Sequence, residues 1–410
     1  MIYLIHNEII KILSRRKTYI VFLAFIALMA TIVITGYKEE QRRIKMNTPE
    51  AKIEMLINSR DSLLNEKANI SEAIKESPTE LKAHNKNIDN KIKELDNQIQ
   101  ELTKMKELGI NEIDWKKDVK INIAQLENGL KDNNEDISYK EETKQEIRKL
   151  KYFLDNNINP MEESKFNSFN FIKLLFNEVL GGIILAIGII LFTSDIVSGE
   201  CTPPTLKFLL IQPVSRGKFL FSKFISVTSV ALSLIFLAEI IFFLLVGLFI
   251  GFGNPNYPTF VGTTYKFDFA HISMGQKPNL VQILDSTKVI PIWQNTLYMF
   301  LLQALFIISC CAFAFLISSI FKSSMASMSL GIVSVLFITV LSEVVPAVRK
   351  IAYFLFTSYG RVGTLLEGTL ALKFNNPSVT TSYGIMVLII WTLICYVLSH
   401  IIFTKRDILI

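Results

Sequence analysis

The sequence predicts an all-α polytopic membrane protein, with six transmembrane helices and an extracellular coiled-coil or helical-hairpin domain. Three observations carry that prediction. Half of the 410 residues are hydrophobic and 30 are Phe, more apolar surface than one or two soluble cores require. The apolar residues gather in six runs, each near the roughly 20 residues that cross a hydrocarbon core about 30 Å thick. Charge collects instead in one long block between the first two runs.

The runs cover residues 18–36, 174–193, 225–253, 296–320, 325–345 and 383–403. The third is long enough to tilt, or to leave the membrane before Asn254. Arg15, Arg16 and Lys17 precede the first run as they would in a signal peptide. That run is too long for an h-region and no small-residue cleavage site follows, so it is read as a retained span.

Positive charge orients the chain. With the N-terminus inside, the inner segments 1–17, 194–224 and 404–410 carry Lys11, Arg15, Arg16, Lys17, Lys207, Arg216, Lys218, Lys223, Lys405 and Arg406, and Lys322 lies in a short inner turn. Arg349, Lys350, Arg361 and Lys373 fall outside and dissent. The long block does not vote, because long translocated domains largely ignore the charge rule. Both termini are therefore expected in the cytoplasm. Cys201 falls in an inner loop and Cys310, Cys311 and Cys395 within spans, which leaves no disulfide framework outside. The Lys-, Asn- and Ile-rich composition suggests an AT-rich bacterial genome and hence a bacterial plasma membrane.

Residues 37–170 are the expected extracellular domain, with 24 Lys/Arg against 27 Asp/Glu. Such dense, nearly balanced charge reads as solvated helix faces rather than a binding patch, and nothing points to nucleic acid. Leu81, Ile88, Leu95 and Leu102 repeat every seven residues, and Ile92 and Ile99 fill the alternate step, a coiled-coil seam. Ile53, Leu56, Leu63, Ile70 and Ile74 offer a partner stripe, and Ser77-Pro78 a turn with Pro at a helix start. The second arm of this antiparallel hairpin would be about 45 Å long. A second hairpin is expected from Trp115, Val119, Leu126 and Leu130, a turn at Asn133-Asn134, and Ile147, Leu150 and Leu154. The domain reads as a self-packed stalk, with a substrate receptor as the other reading.

The inner loop 194–224 is the most informative stretch. Thr202 can cap a helix that opens on Pro203, runs through Leu206, Phe208, Leu209 and Leu210, and stops near Pro213. A helix this short is marginal in water and needs something to dock against. One partner is the lipid headgroup layer, with Lys207 and Lys218 snorkelling.

The other partner comes from a resemblance. Glu200, Thr205-Leu206-Lys207, Leu209-Leu210, Pro213, Ser215-Arg216 and Lys223 resemble the coupling-helix loop in the membrane subunits of type-2 ABC exporters, although Pro204 stands where that family usually has Gly. The resemblance implies that Glu200, Thr202, Pro203, Thr205, Leu206, Lys207, Phe208, Leu209, Leu210, Pro213 and Arg216 meet a separate ATPase subunit. It also implies an amphipathic N-terminal helix along the inner surface, and Ile2, Ile5, Ile9 and Ile12 supply its apolar face, with Lys11 and Arg15 on the polar side. Residues 346–382 match the short re-entrant helices such proteins place between the last two spans. Residues 351–356 are too short to cross, and Gly360, Gly363 and Gly368 punctuate the stretch. The large insertion between the first two spans marks a variant of that family, and residues 254–295 are left as an extracellular loop.

The chain carries no phosphate loop of the G-x-x-x-x-G-K-[ST] kind, no H-E-x-x-H pair and no nucleophile elbow. It is read as no enzyme, with no catalytic or metal site and no cofactor of its own; ATP and Mg would come through the partner ATPase. Intramembrane polar groups are then the functional candidates, because a charge there costs about 2.5–3.5 kcal/mol even on a lenient scale. Glu239 lies mid-span and either lines a transport path or binds a cation; alternatively it is protonated, or bonded to a group such as Gln303 on the next span. Glu178 and Glu343 lie near the outer surface and read as hydrated.

Taken with the resemblance, these residues describe the permease subunit of an ABC exporter moving a hydrophobic or peptide-like substrate by alternating access. Its partners would be an ATP-binding subunit, a second permease subunit (the same or different) and membrane lipid. The alternative is a non-transporting membrane sensor or scaffold whose outer coiled coil binds a partner. A secondary transporter is weakened by the absence of Gly/Pro-broken spans in repeated halves.

Overall fold

A computed structural model describes residues 1–73, 78–107, 115–130, 137–200, 214–269 and 278–405. It is helical almost throughout, and six helical segments are long and apolar enough to cross a membrane. The chain divides into two units, Met1–Val33 with Asn122–Ile410, and Ile34–Ile121. The segment 37–170, read above as one domain, is thus shared between them.

In the smaller unit, α3 (Pro49–Ala73) and α4 (Pro78–Glu107) pack as a hairpin. Their ion pairs show the antiparallel register directly: Glu50 meets Lys106 at 3.0 Å, Arg60 meets Asp96 at 3.5 Å and Lys67 meets Asp89, so numbers rise in one helix as they fall in the other. Lys106 holds the Glu50 carboxyl below the usual carboxylate range through that hydrogen bond. Ile88 is buried, and Ile92, Leu95, Ile99 and Leu102 are half-buried, as are Ile53, Leu56 and Leu63 on α3. The side chains of Ile70, Ile74, Ser77 and Leu81 lie outside the described residues.

The larger unit begins with α1 (Ile2–Leu13) and the start of α2 (Arg16–Met46), and resumes within α5 (Trp115–Gly129) and α6 (Ile137–Asp155). The Asn133-Asn134 turn lies outside the described residues, while Lys151 on α6 pairs with Glu127 on α5 at 2.8 Å. What α6 mainly touches was not legible in the sequence. The segment 254–295, left as a loop, contains two antiparallel pairs. β1 (Pro258–Val261) pairs with β4 (Lys288–Pro291), and β2 (Tyr265–Phe267) with β3 (Leu280–Gln282). Phe153 on α6 packs on Tyr257 with ring centroids 5.3 Å apart. Buried Glu141 accepts from Arg148 at 2.9 Å and from the backbone N–H of Asp285 at 3.0 Å, and Gln145 bonds Thr287 at 3.0 Å. These contacts fix α6 to the strands, so the second predicted hairpin belongs in part to the membrane-spanning unit.

The second apolar run is a broken helix, a departure from the unbroken spans the sequence suggested. α7 (Ser168–Leu174) passes into a π-helical stretch, Leu175–Ile184, and then into α8 (Leu185–Thr193), with Gly182 at a non-helical ψ of −109°. π-turns and glycines are where helices bend. The break receives the short elements between the fifth and sixth long helices: α12 (Pro346–Ala352), a 3₁₀ turn at Phe356–Tyr359, α13 (Val362–Glu367) and α14 (Leu370–Phe374). Asn177 Oδ1 accepts from the backbone N–H of Gly363 at 2.9 Å. A Cβ on Gly360 would stand 2.5 Å from the carbonyl oxygen of Gly181, so only glycine allows this approach.

The remaining long helices are α9 (Arg216–Phe249), α10 (Ile292–Ile320), α11 (Ser324–Val344) and α15 (Thr381–Lys405). α9 begins nine residues before the apolar run that marked it, its first turns carrying charges that hid it from a hydropathy reading. α10 is the central helix, packed on α8, α9, α11 and α15. Its small side chains, Ser309, Cys310, Cys311, Ala312, Ala314, Ser318 and Ser319, are buried and let neighbours approach closely. Ser309 Oγ donates to the Leu388 carbonyl at 2.7 Å, and Ser318 Oγ accepts from the N–H groups of Val197 and Ser198 at 3.1 and 3.0 Å.

Gly360→Ala should lower the melting temperature of the detergent-solubilised protein, with an overpacking cost of about 1–3 kcal/mol. Gly188→Ala, in the same broken helix but with nothing near the added methyl, should melt no lower than the parent.

Candidate functional site

Two faces built on one spacing create the polar centre of the larger unit. On α1 the packed positions are Ile5, Glu8, Ile9 and Ile12, spaced i, i+3, i+4, i+7; on α9 they are Leu220, Lys223, Phe224 and Val227, spaced the same way. Each apolar stripe therefore carries one charged residue inward. α1 packs against α9 by this stripe, and the Ser226 hydroxyl donates to the Ile5 carbonyl at 3.0 Å. Ile2, expected on the same face, is 81% exposed, because it falls beyond the end of the contact.

Lys223 is the residue around which the site forms. Its side chain is 1% exposed, and Nζ lies 2.8 Å from Glu8 Oε2 and 2.9 Å from Glu200 Oε1. The ammonium also sits 4.9 Å from the centre of the Phe219 ring, one turn earlier. Lys11 makes a second ion pair with Glu200. Next to this group, Asp195 meets Lys17 at 2.8 Å and Arg15 at 3.6 Å. Burying one of these ions alone would cost several kcal/mol; mutual pairing and hydrogen bonding offset the cost only when the geometry is good.

Glu200 thus stands in a short 3₁₀ turn, Ser198–Glu200, tied to α1 and α9 at once. Residues 201–213 follow it immediately and lie outside the described residues, and with them Thr202, Pro203, Thr205, Leu206, Lys207, Phe208, Leu209, Leu210 and Pro213. Beyond them, Ser215 caps α9 by accepting from the Lys218 N–H at 3.4 Å. Arg216 donates to the Thr404 carbonyl at 3.4 Å, and Gly217 lies so near His400 that a Cβ there would fall 2.7 Å from the ring. The described residues on either side of 201–213 are therefore both held: Glu200 by the ion cluster, and Arg216 by the end of α15.

Two of these ions had a signal in the sequence that hydropathy alone does not read. Lys223 served as an orienting loop charge and as the last residue of the resemblance, and Lys11 as an orienting charge on a polar face; the structure buries the first and pairs both. Glu8 was detectable as the acidic residue on the otherwise apolar stripe of α1.

Within the membrane-spanning helices, the structure brings Glu239 and Gln303 together. Glu239 is fully buried between α9 and α10, and Gln303 Nε2 donates to its Oε1 at 2.7 Å. Neither lines an apolar groove of about 580 Å³ walled by α2, α8 and α9 with Met328 of α11. Phe22, Phe25, Leu185, Phe192 and Ile235 shape that groove, and Lys17 stands at its rim. Glu178 is exposed, and Glu343 pairs with Lys373. Among the described residues no group of three or more His, Cys, Asp or Glu is arranged to hold a metal.

The comparisons with known proteins agree with this architecture. The uncharacterized protein YhcI of Bacillus subtilis (strain 168) is 24% identical over 295 residues, which cover 72% of this chain and 84% of that protein. The family described as ABC-2 family transporter protein matches residues 2–408, essentially from end to end. The chain accordingly belongs to the ABC-2 transporter family, as a multi-pass permease component of the plasma membrane that is not itself the ATPase and works with an ABC ATP-binding subunit.

Proposed function

We propose that this permease is the membrane half of an ATP-driven exporter, and that the ion cluster at Lys223 joins the ATPase-docking segment to the moving helices. The observation that carries the reading is the position of Glu200. It is the last residue before 201–213, and it is held by Lys223 on α9 and Lys11 on α1. In this reading 201–213 forms the coupling helix, with Thr202 and Pro203 at its start and Leu206, Phe208, Leu209 and Leu210 on the docking face. ATP and Mg are bound by the separate subunit. A push on the segment reaches α9 through the Glu200–Lys223 pair and reaches α1 through Lys11 and Glu8.

Positive residues on the termini and in 214–224 support a cytoplasmic location for both termini and for the coupling segment. A second permease subunit, the same or different, completes the pathway. α11 supports this: Leu330, Val333, Phe337, Val340 and Val344 are exposed at alternating three- and four-residue steps, the spacing of a helix–helix seam. The apolar groove, whose one charged lining residue is Lys17 at the rim, favours a hydrophobic or amphipathic cargo, moved outward by alternating access. The α3–α4 hairpin is assigned as a self-packed stalk, since its apolar stripes face each other.

Leu209→Asp should abolish co-purification with the cognate ATP-binding subunit while the permease stays folded; retained co-purification would remove 201–213 as the docking segment and favour the scaffold reading. Lys223→Met should destabilise the protein by about 3 kcal/mol, because Glu8 loses its described cation and buried Glu200 keeps only Lys11. A thermal melt checks this, and adding Glu200→Gln to that variant should recover part of the loss.

A further inference from the structure

We propose that the seam between α9 and α10 binds one proton, held at Glu239 and shared with the amide of Gln303. The valence of four buried atoms points to that proton. Glu239 is 0% exposed and Gln303 2% exposed. Gln303 Nε2 donates to Glu239 Oε1 at 2.7 Å, which satisfies one edge of each group. The other edge consists of Glu239 Oε2 and Gln303 Oε1, both buried and both without a hydrogen-bond partner. A carboxylate oxygen and an amide oxygen are both acceptors, so an ionised Glu239 leaves two orphaned buried acceptors on a pair already joined at its other edge. One proton on Oε2 turns that oxygen into a donor for Gln303 Oε1. The two groups then form a cyclic acid–amide pair in which both orphaned oxygens gain a partner.

The surroundings supply no other counterweight to a negative charge. α9 carries no charged residue between Lys223 and Glu239, and none from Glu239 to its end; α8 and α10 carry none at all. The charged or basic groups on the helices that pack most on α9 are Lys173 on α7, His6, Glu8 and Lys11 on α1, and His400 and Lys405 on α15; all but Lys173 lie toward the Lys223 end, and His6 is exposed. The thiols Cys310 and Cys311 on α10, and the Tyr383, Cys395 and Tyr396 side chains on α15, are uncharged when protonated. The one described partner of the Glu239 carboxyl is Gln303. The step is a proton transfer alone: the Glu239 carboxylate takes one proton from a buffer acid in the solvent, whose conjugate base stays there, and ionisation reverses the transfer.

Infrared spectroscopy on the full chain in phosphatidylcholine vesicles at neutral pH tests this directly. The protonated-carboxyl C=O stretch should be present in the parent, lose one group's intensity in Glu239→Gln, and remain unchanged in the exposed control Glu178→Gln. A parent and Glu239→Gln that give the same spectrum in this region would overturn the proposal. Gln303→Leu provides the second arm should Glu239→Gln fail to fold. It should leave the carbonyl band but move it to the position of an acid without an amide partner, and an unmoved band would also overturn the proposal.

Discussion

An ammonium group at 1% exposure needs a surrounding that replaces water, and around Lys223 the chain has built one. Glu8 arrives from α1, Glu200 from the end of the broken second helix, and the Phe219 ring covers the flank. Removing any one partner weakens the pairing of a buried charge, so the positions of the three segments are coupled. That condition fixes α1 across the start of α9. It also places the residue before 201–213 at a junction of helices rather than at the end of a loose loop. The proposed coupling of ATP hydrolysis to helix movement depends on this stiffness.

The second constraint is the close contact between the broken helix and the elements that follow α11. An apolar run with two adjacent glycines reads as a continuous span, because hydropathy does not register backbone torsion. In the structure, Gly181 and Gly182 break the helix, and Gly360 and the Gly363 N–H approach the freed backbone and Asn177. Irregular backbone at membrane depth is tolerated where neighbouring protein satisfies it, and here the short elements do so. The break occurs in one helix, unlike the repeated pair of broken helices that marks many secondary transporters.

What was legible in the sequence follows from which signals act locally. Six long apolar runs and a heptad pattern over α4 are local signals, and the fold class was readable from them. β1 to β4 were not, because strands of three or four residues pair with partners up to about 30 positions away and leave no periodic trace. The start of α9 was hidden by Arg216, Lys218 and Lys223, which read as loop charge. The cluster was half legible: Glu8 interrupts an apolar stripe at helical spacing, and Lys223 does the same on α9, but only packing shows that the two stripes face one another. The docking role proposed for 201–213 rests on resemblance to a family; the family match over residues 2–408 shows membership and leaves that role a proposal.

In the proposed coupling, the Glu8–Lys223–Glu200 junction transmits work between the ATPase and the spans. A charge-reversal cycle at Glu8 and Lys223 tests it most directly, measured as transport-linked ATP hydrolysis of the permease reconstituted with its ATP-binding subunit. The account predicts that Glu8→Lys and Lys223→Glu each uncouple hydrolysis from transport, and that the double variant recovers coupling beyond either single change. Single variants that couple as well as the parent, or a double variant no better than the worse of the two, would contradict it.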